Sequence, residues 1–312
     1  MDAILLCGDR GASRHVKGVN KALLPVKGAP LFTHVLRALE GAARIERVFI
    51  VGDKKKLDSA LVESGGSSKP VVTMDQWENL AANIWNGFLA TLDGYTLGAE
   101  RKRPELAGRM VFCVPGDSPL ITPAEINEFL DRADMDRHDY MIGLTPEKAL
   151  DRYLPARGKP GIRMTCFNVR EGRFRINNMH IARPFAFQNR GAIQKMYNVR
   201  YQKNLRNIAR MLKDLWAIRG VRPRLWIYIV MQVSMMLSLA GFSGLAAKAS
   251  SLVSMDDVAG GVGAILGLRA GLVVTGHGGS AVDIDNDHDY DVMQAMYDEW
   301  TAAGKNMIGD AP

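Results

Sequence analysis

The chain has 312 residues and a mass of 34.3 kDa, enough to bury one large core or two small ones, and its 47% hydrophobic and 23% charged content is ordinary for a folded protein. A net charge of +7 and a pI near 9.3 point to an anionic partner, which keeps nucleotide, membrane surface and nucleic acid in view. Cys7, Cys113 and Cys166 lie far apart in apolar runs, which excludes a disulfide framework and a zinc spacing and suits a reducing compartment.

The N-terminus enters a strand directly, with no basic-apolar-small signal pattern, so a cytoplasmic location is expected. Ala3 to Cys7 is an apolar run that stops at glycine, as a buried strand of a parallel sheet does. Gly8 and Gly11 give a loop of little bulk whose backbone N–H groups can approach phosphate oxygens. Arg10, Arg14, Lys17 and Lys21 surround it with positive charge. The loop lacks the Gly-Lys-Ser/Thr of a P-loop and the Gly-x-Gly-x-x-Gly of a dinucleotide site. On residue types alone it is either a triphosphate cradle or an ordinary strand-to-helix loop.

Leu6-Cys-Gly-Asp-Arg-Gly11 followed by Lys21-Ala-Leu-Leu-Pro-Val-Lys-Gly-Ala-Pro-Leu31 resembles the opening of the MobA-like nucleotidyltransferases, which have a GT-A-like fold. The second half of that motif is matched almost completely. The loop departs from it in two places. Asp9 stands where the family usually has glycine, and Arg14 falls one place late, which gives Arg10 the role of the loop's arginine. The resemblance implies that Cys7, Gly8, Asp9, Gly11 and Arg14 contact the nucleotide and that Lys21 and Arg10 act on its phosphates. Asp9 would repel a triphosphate unless it ligates the metal or pairs with Arg10. Lys21 is expected partly exposed at the crevice.

Thr33 to Leu39 reads as a helix, Val48 to Val51 as a second buried strand, and Val71 to Thr73 as a third. Asp75 to Phe88 reads as a helix with Leu80, Ile84 and Phe88 four residues apart. In the family a helix here starts beside the base, which makes Asn79 and Asn83 contacts for base or ribose; a solvated polar face is the other reading. Residues 93 to 108 read as a loop. Met110 to Val114 is a strongly apolar strand running into Pro115-Gly-Asp-Ser-Pro-Leu-Ile-Thr-Pro123. An Asp after a strand is often only a turn or cap, but the flanks of Asp117 resemble the family's Asp-x-Pro-Leu-Ile. A carboxylate at a strand's C-terminal end faces the crevice where such sheets bind ligands and can hold Mg²⁺ on a phosphate.

Pro123 to Ala133 reads as a helix capped by Thr122, and Tyr140 to Leu144 and Met164 to Val169 as strands. Arg175 to Pro184 resembles the family's strand that carries an Asn toward the acceptor. Arg163, Thr165 and Asn178 are therefore the acceptor candidates. Arg157, Lys159 and Arg163 suit either a substrate phosphate or a basic surface loop.

Residues 185 to 255 do not follow the family pattern. Lys195 to Arg224 carries nine basic residues, with Leu205, Ile208, Leu212, Leu215 and Trp216 at helical spacing, and reads as a basic amphipathic helix. Leu225 to Ala247 holds no charge; as a helix rising about 1.5 Å per residue it reaches across a bilayer. A simple span conflicts with topology if residues 256 to 312 belong to the same domain as residues 1 to 184, as their pattern suggests. Core helix, dimer interface and lipid-associated helix all remain open for it.

Asp256 to Gly267 reads as a helix, Ala270 to Thr275 as a strand, and Gly279 to Asp291 as a strand entering a last helix that continues to Trp300. The Val282-Asp-Ile-Asp285 stretch resembles the family's closing motif, and strand alternation puts Asp283 and Asp285 on one face. They are metal candidates with Asp117, or else an acidic cap on the last helix. An EF-hand is excluded because its Gly and closing Glu are absent.

The expected fold is α/β, a mostly parallel central sheet with helices on both faces, Rossmann-like and of GT-A type. Residues 1–184 and 256–312 form the nucleotidyltransferase domain, and 185–255 an inserted helical region. The activity implied by the resemblance is Mg²⁺-dependent transfer of NMP from an NTP to a phosphorylated small molecule, with release of pyrophosphate. A catalytically weak nucleotide-binding module that docks on a membrane or a partner through 195–248 is the alternative. Membrane surface and homo-dimer are the partners to weigh there, and nucleic acid ranks lowest because no nucleic-acid motif appears.

Overall fold

The apolar N-terminal run becomes β1 (Asp2–Leu6), the strand around which the sheet is laid. The computed structural model describes residues 1–10, 15–101, 103–156, 158–194 and 221–309. After the loop beyond β1 comes a 3-10 turn, Lys21–Leu23, then the two short strands β2 (Pro25–Val26) and β3 (Ala29–Pro30). They are joined by Lys27 and Gly28 at φ 49° and 80°, the primed-turn geometry in which glycine carries no Cβ penalty. The chain continues through α1 (Leu31–Gly41), β4 (Arg47–Gly52), α2 (Lys54–Glu63), β5 (Val71–Asp75) and α3 (Leu80–Ala90). Next are the short α4 (Pro104–Ala107), β6 (Val111–Pro115), α5 (Pro123–Arg132), β7 (Tyr140–Pro146) and the one-turn α6 (Glu147–Leu150). β8 (Phe167–Val169) and β9 (Gly172–Ala182) precede α7 (Leu225–Leu239), α8 (Ser243–Ser250), α9 (Met255–Leu266), β10 (Ala270–Val274) and α10 (Asp287–Gly309).

The sheet runs β10-β7-β9-β6-β1-β4-β5, with β8 paired to β9. β1 lies parallel between β4 and β6, and along this path only β9 runs against its neighbours, β6 and β7. Both faces are covered, as the unbroken apolar strands require. Ala3 and Leu5 pack with Val35, Leu36 and Leu39 of α1 and Phe129 of α5. Ile4, one residue out of phase, packs on the other face with Val51 and with Phe88 of α3. The fold is the mostly parallel, helix-flanked sheet expected from the sequence.

Several local expectations are corrected. The segment from Asp75 is not helical from its start: β5 runs through Asp75, and α3 begins at Leu80 with Asn79 as its cap. Residues 93 to 108 contain α4 and a 3-10 turn at Ala99–Arg101. The strand before residue 169 is only three residues long. Val282 to Asp285 is extended but pairs with no strand among the described residues, and it comes after a 3-10 turn at Gly279–Ala281. Leu225 to Ala247 is broken into α7 and α8 by a turn in which Gly241 has φ 85°. Among the described residues no helix is long and apolar enough to cross a membrane. Residues 195–220 of the basic amphipathic segment lie outside the described residues, and Arg222–Arg224 form a 3-10 turn.

Glu125, in the first turn of α5, fastens the turn that leads to Asp283. Its carboxylate accepts the N–H groups of Gly278 (3.1 Å) and Ser280 (3.0 Å) and the Ser280 hydroxyl (2.6 Å). Burial nonetheless pushes the Glu125 carboxyl up to about 7, against the pull of these donors. The folded state thus holds this proton more tightly than the unfolded chain. The resulting stability is fully present below the unfolded value near 4.5 and is lost as pH rises through about 7. Glu125→Gln should therefore flatten the fall in melting temperature between about pH 5 and about pH 8 relative to wild type. A variant with the wild-type slope would remove Glu125 as its source.

Candidate active site

The C-terminal ends of β1, β5 and β6 bring the site together, where parallel sheets of this kind hold ligands. Gly116 N donates to Leu6 O (2.9 Å), so the loop after β6 is laid beside the loop after β1. Ile284 N donates to Asp117 O (3.2 Å), which draws the 282–285 segment alongside. The Lys21 turn is tied in by Asn20, whose Nδ2 donates to Cys7 O (2.8 Å) while its Oδ1 accepts from Ala22 N (2.9 Å).

These ties place one ammonium among carboxylates. Lys21 Nζ forms an ion pair with Asp117 Oδ2, lies 3.5 Å from Asp285 Oδ1 and donates to Ile284 O (2.9 Å). The side chain is 12% exposed, so the lysine is only slightly open to the crevice. Burial works against its charge, but Asp117, Asp285 and Asp283 outweigh it and hold Lys21 above the usual lysine range. Asp283 is paired separately: Arg175 Nη2 donates to its Oδ1 (2.8 Å), and Arg175 Nε donates to Ala281 O (2.9 Å). Burial and Asp285 push the Asp283 carboxyl up, against Arg175.

Asp117 Oδ1 is buried and has no hydrogen-bond partner among the described residues. A desolvated carboxylate oxygen without a donor is costly, and a hard cation satisfies it. Among the described residues no group of three His, Cys, Asp or Glu side chains is arranged to hold a metal. Mg²⁺ fits such a place all the same, because it is commonly held by one or two carboxylates together with substrate phosphates. Asp117 is the residue whose chemistry fits; Asp283 is already engaged by Arg175.

The loop after β1 is closed by a residue with no sequence signal. Gln76 Oε1 accepts from Asp9 N (2.8 Å) and Arg10 N (3.1 Å), and Gln76 Nε2 donates to Asp9 Oδ1 (2.7 Å). Two successive N–H groups converging on one oxygen are what an anion meets in a backbone nest. Arg10 Nη1 donates to Gln76 O (3.1 Å). Asp9 therefore pairs with Gln76, and with His15 Nε2 at 3.3 Å, rather than with Arg10. A Cβ on Gly8 would sit 2.8 Å from Gln76 Oε1 and 2.7 Å from Asn83 Nδ2, so this position admits no side chain without displacing both. Cys7 turns inward; its N–H goes to Val51 O and its carbonyl accepts from Asn20, so its backbone is spent inside the fold. Gly11 and Arg14 lie outside the described residues.

Asn79 caps α3 by accepting from Ala82 N (3.0 Å). Asn83 is buried, and its Oδ1 accepts from Trp77 N (2.6 Å), so neither is a solvated surface residue without a local role. Asn178 Nδ2 donates to Ser118 Oγ (2.8 Å) and Ser280 O (2.9 Å), which pins the Asp117 loop to the turn before Asp283. Arg163 and Thr165 are exposed, on a segment whose Ile162 and Cys166 pack in one cluster with Leu24 and Ile284. Arg157 lies outside the described residues, and Lys159 pairs with Glu299 (2.8 Å). Of the residues singled out in the sequence, the structure brings Lys21, Asp117, Asp283 and Asp285 together, and it adds Asn20, Gln76, Ser118, Arg175 and Ser280 around them.

A helix-flanked, mostly parallel sheet with a lysine and carboxylates gathered at its C-terminal edge defines an α/β protein with a ligand crevice at that edge. The sequence matches the MobA-like NTP transferase domain over residues 3–215, and the chain belongs to that family. It is 23% identical over 193 residues to the 2-C-methyl-D-erythritol 4-phosphate cytidylyltransferase of Chlorobium luteolum, covering 60% of this chain and 74% of that one. A hypothetical transferase from Thermus thermophilus is similar in structure, with a TM-score of 0.56 and 22% identity over 92% of this chain and 98% of that one.

The buried lysine predicts a charge-balance phenotype. Lys21→Ala removes the ammonium that faces Asp117 and Asp285, beside the Asp283–Arg175 pair, and should lower the melting temperature measurably. Adding Asp285→Asn should restore part of that loss, because the two changes act on one interaction. Purely additive melting shifts in the double variant would show that the ion pair carries no coupling.

Proposed function

We propose that the protein transfers a nucleotidyl group from an NTP to a phosphate-bearing small molecule. A phosphate oxygen of the acceptor attacks the α-phosphorus, the bond to the β-phosphate breaks, and pyrophosphate leaves. The observation that carries this reading is the Lys21 ammonium held between Asp117 and Asp285 at the edge of a family-typical sheet. An acceptor phosphate is already ionised at neutral pH, so the reaction needs no general base, only positioning and charge neutralisation.

Lys21 sits where it can answer charge that builds on the phosphates during transfer. Asp117, Asp283 and Asp285 surround Lys21 and Arg175, so much of that positive charge is already answered by carboxylates. Mg²⁺, held by Asp117 and the substrate, would supply further positive charge. The nest at Asp9 N and Arg10 N receives a phosphate oxygen once Gln76 Oε1 leaves it. Arg163 and Thr165, both exposed, would meet the acceptor, with Asn178 holding the segment that carries Asp117 in register. The Chlorobium relative is named a cytidylyltransferase acting on a sugar-alcohol phosphate, which makes CTP and phosphorylated polyols the first pair to test.

The test is a panel of the four NTPs against sugar and polyol phosphates, scored by pyrophosphate release with and without Mg²⁺. One NTP with one acceptor class should turn over. Asp117→Asn should abolish it with the fold intact, and Lys21→Ala should lower kcat by about 10²- to 10³-fold, the range for loss of one charge-stabilising group. Nucleotide binding without turnover for every pair would make the protein a binding module instead.

A further inference from the structure

We propose that the cavity between α1, α5 and α10 is a second ligand site, separate from the Lys21 cluster, which takes a small organic anion with a planar apolar body. The cavity measures about 340 Å³, within the roughly 300–1,000 Å³ of small-molecule pockets. Its walls are rich in rings. Tyr153 and Trp300 meet edge to face with centroids 5.3 Å apart, and His34 and Tyr297 form a second pair at 5.0 Å. Such faces suit a flat apolar guest. The chain after Asp117 contributes Pro119 and Leu120, but Lys21, Asp117, Asp283 and Asp285 are not part of the wall. A guest here lies apart from the ion cluster.

The charges in the wall select an anion. Arg37 is answered by Glu40 (2.8 Å), and His277 lies 3.6 Å from Glu128. Arg152 stands in a 3-10 turn, Asp151–Tyr153, where its Nη2 donates to His277 O (2.8 Å) and its guanidinium lies 5.2 Å from the centre of the Tyr153 ring. It has no carboxylate partner among the described residues, so most of its five donors are left for water or a guest. Glu125 is the one acid in the wall; its oxygens are taken up by Gly278 and Ser280, and burial favours its protonated form, so it opposes an anion little. The indole N–H of Trp300 is buried with no acceptor among the described residues, a second donor in the wall that lacks a partner. An anionic head at Arg152 with its body among the rings uses both features of the cavity. A neutral guest uses one, and a cation is repelled by the other.

The experiment is titration calorimetry on the full chain with three probes, benzoate, phenyl phosphate and the neutral benzamide. Both anions should bind, and benzamide should bind about ten-fold or more weakly, the worth of one charge-assisted contact. Arg152→Gln should bring both anions down to the level of benzamide while the melting temperature holds. Thr301→Phe, which places a ring in the cavity from α10, should abolish binding of all three probes, whatever Arg152→Gln does to the fold. Three results overturn the proposal: no binding of either anion at millimolar concentration, benzamide bound as tightly as benzoate, or anion binding left unchanged by either variant.

Discussion

The ammonium of Lys21 joins three parts of the chain that are remote in sequence: the loop after β1, the loop after β6 and the segment before α10. A buried charge tolerates few arrangements, because each lost partner leaves an uncompensated ion in a medium that solvates it poorly. That requirement explains the density of neutral tethers nearby. Asn20 fixes the lysine's turn to Cys7, Asn178 fixes Ser118 to Ser280, and Glu125 fixes Ser280 and Gly278. None of these groups needs to touch a substrate. They hold the carboxylates within reach of one cation, which sets the geometry before any ligand arrives.

The loop after β1 solves a different problem. Consecutive N–H groups aimed outward would be exposed donors, and a loop with little bulk has few contacts to define it. Gln76 supplies both the acceptor and the definition, with Asp9 accepting the return bond from its amide. Asp9, which is hard to place beside a triphosphate from sequence alone, thereby has a role in shaping the loop. Its carboxylate orients the side chain that occupies the nest.

How much of the structure is legible in the sequence depends on how local each feature's cause is. Ala3 to Cys7, Val48 to Val51 and Met110 to Val114 are apolar runs buried on both faces, so composition alone marks them as strands. Lys21 and Asp117 stand out because their flanks match a family pattern over several residues. Gln76 and Arg175 do not, since each is a single polar residue whose meaning lies in a partner 67 or 108 positions away. Alternation at Val282 to Asp285 suggests a strand where the structure has none. The alternate burial is real, but it comes from packing against Leu24 and Met293 on one side and facing Lys21 on the other, with no ladder to make it a strand. The start of α3 shifts for a related reason: Asp75 continues the pairing of β5 with Gly52, and tertiary pairing overrides a local helix signal.

The charge-free run from Leu225 to Ala247 shows why length and hydropathy do not decide what an apolar segment does. A lipid-spanning helix keeps its backbone bonds to itself and presents apolar surface all round. Here Ser234 is fully buried, accepts from Asn168 Nδ2 of β8 (3.0 Å) and donates to Ala246 O of α8 (2.9 Å). Those two bonds fix one side of α7 against protein, and the left-handed Gly241 turns the chain back before a span is complete. With Ser234 committed inward, the residues at 226, 229, 233 and 236 must face outward, because helical spacing leaves them no other direction. The same polar anchor that makes the run part of the fold therefore also creates its exposed apolar stripe.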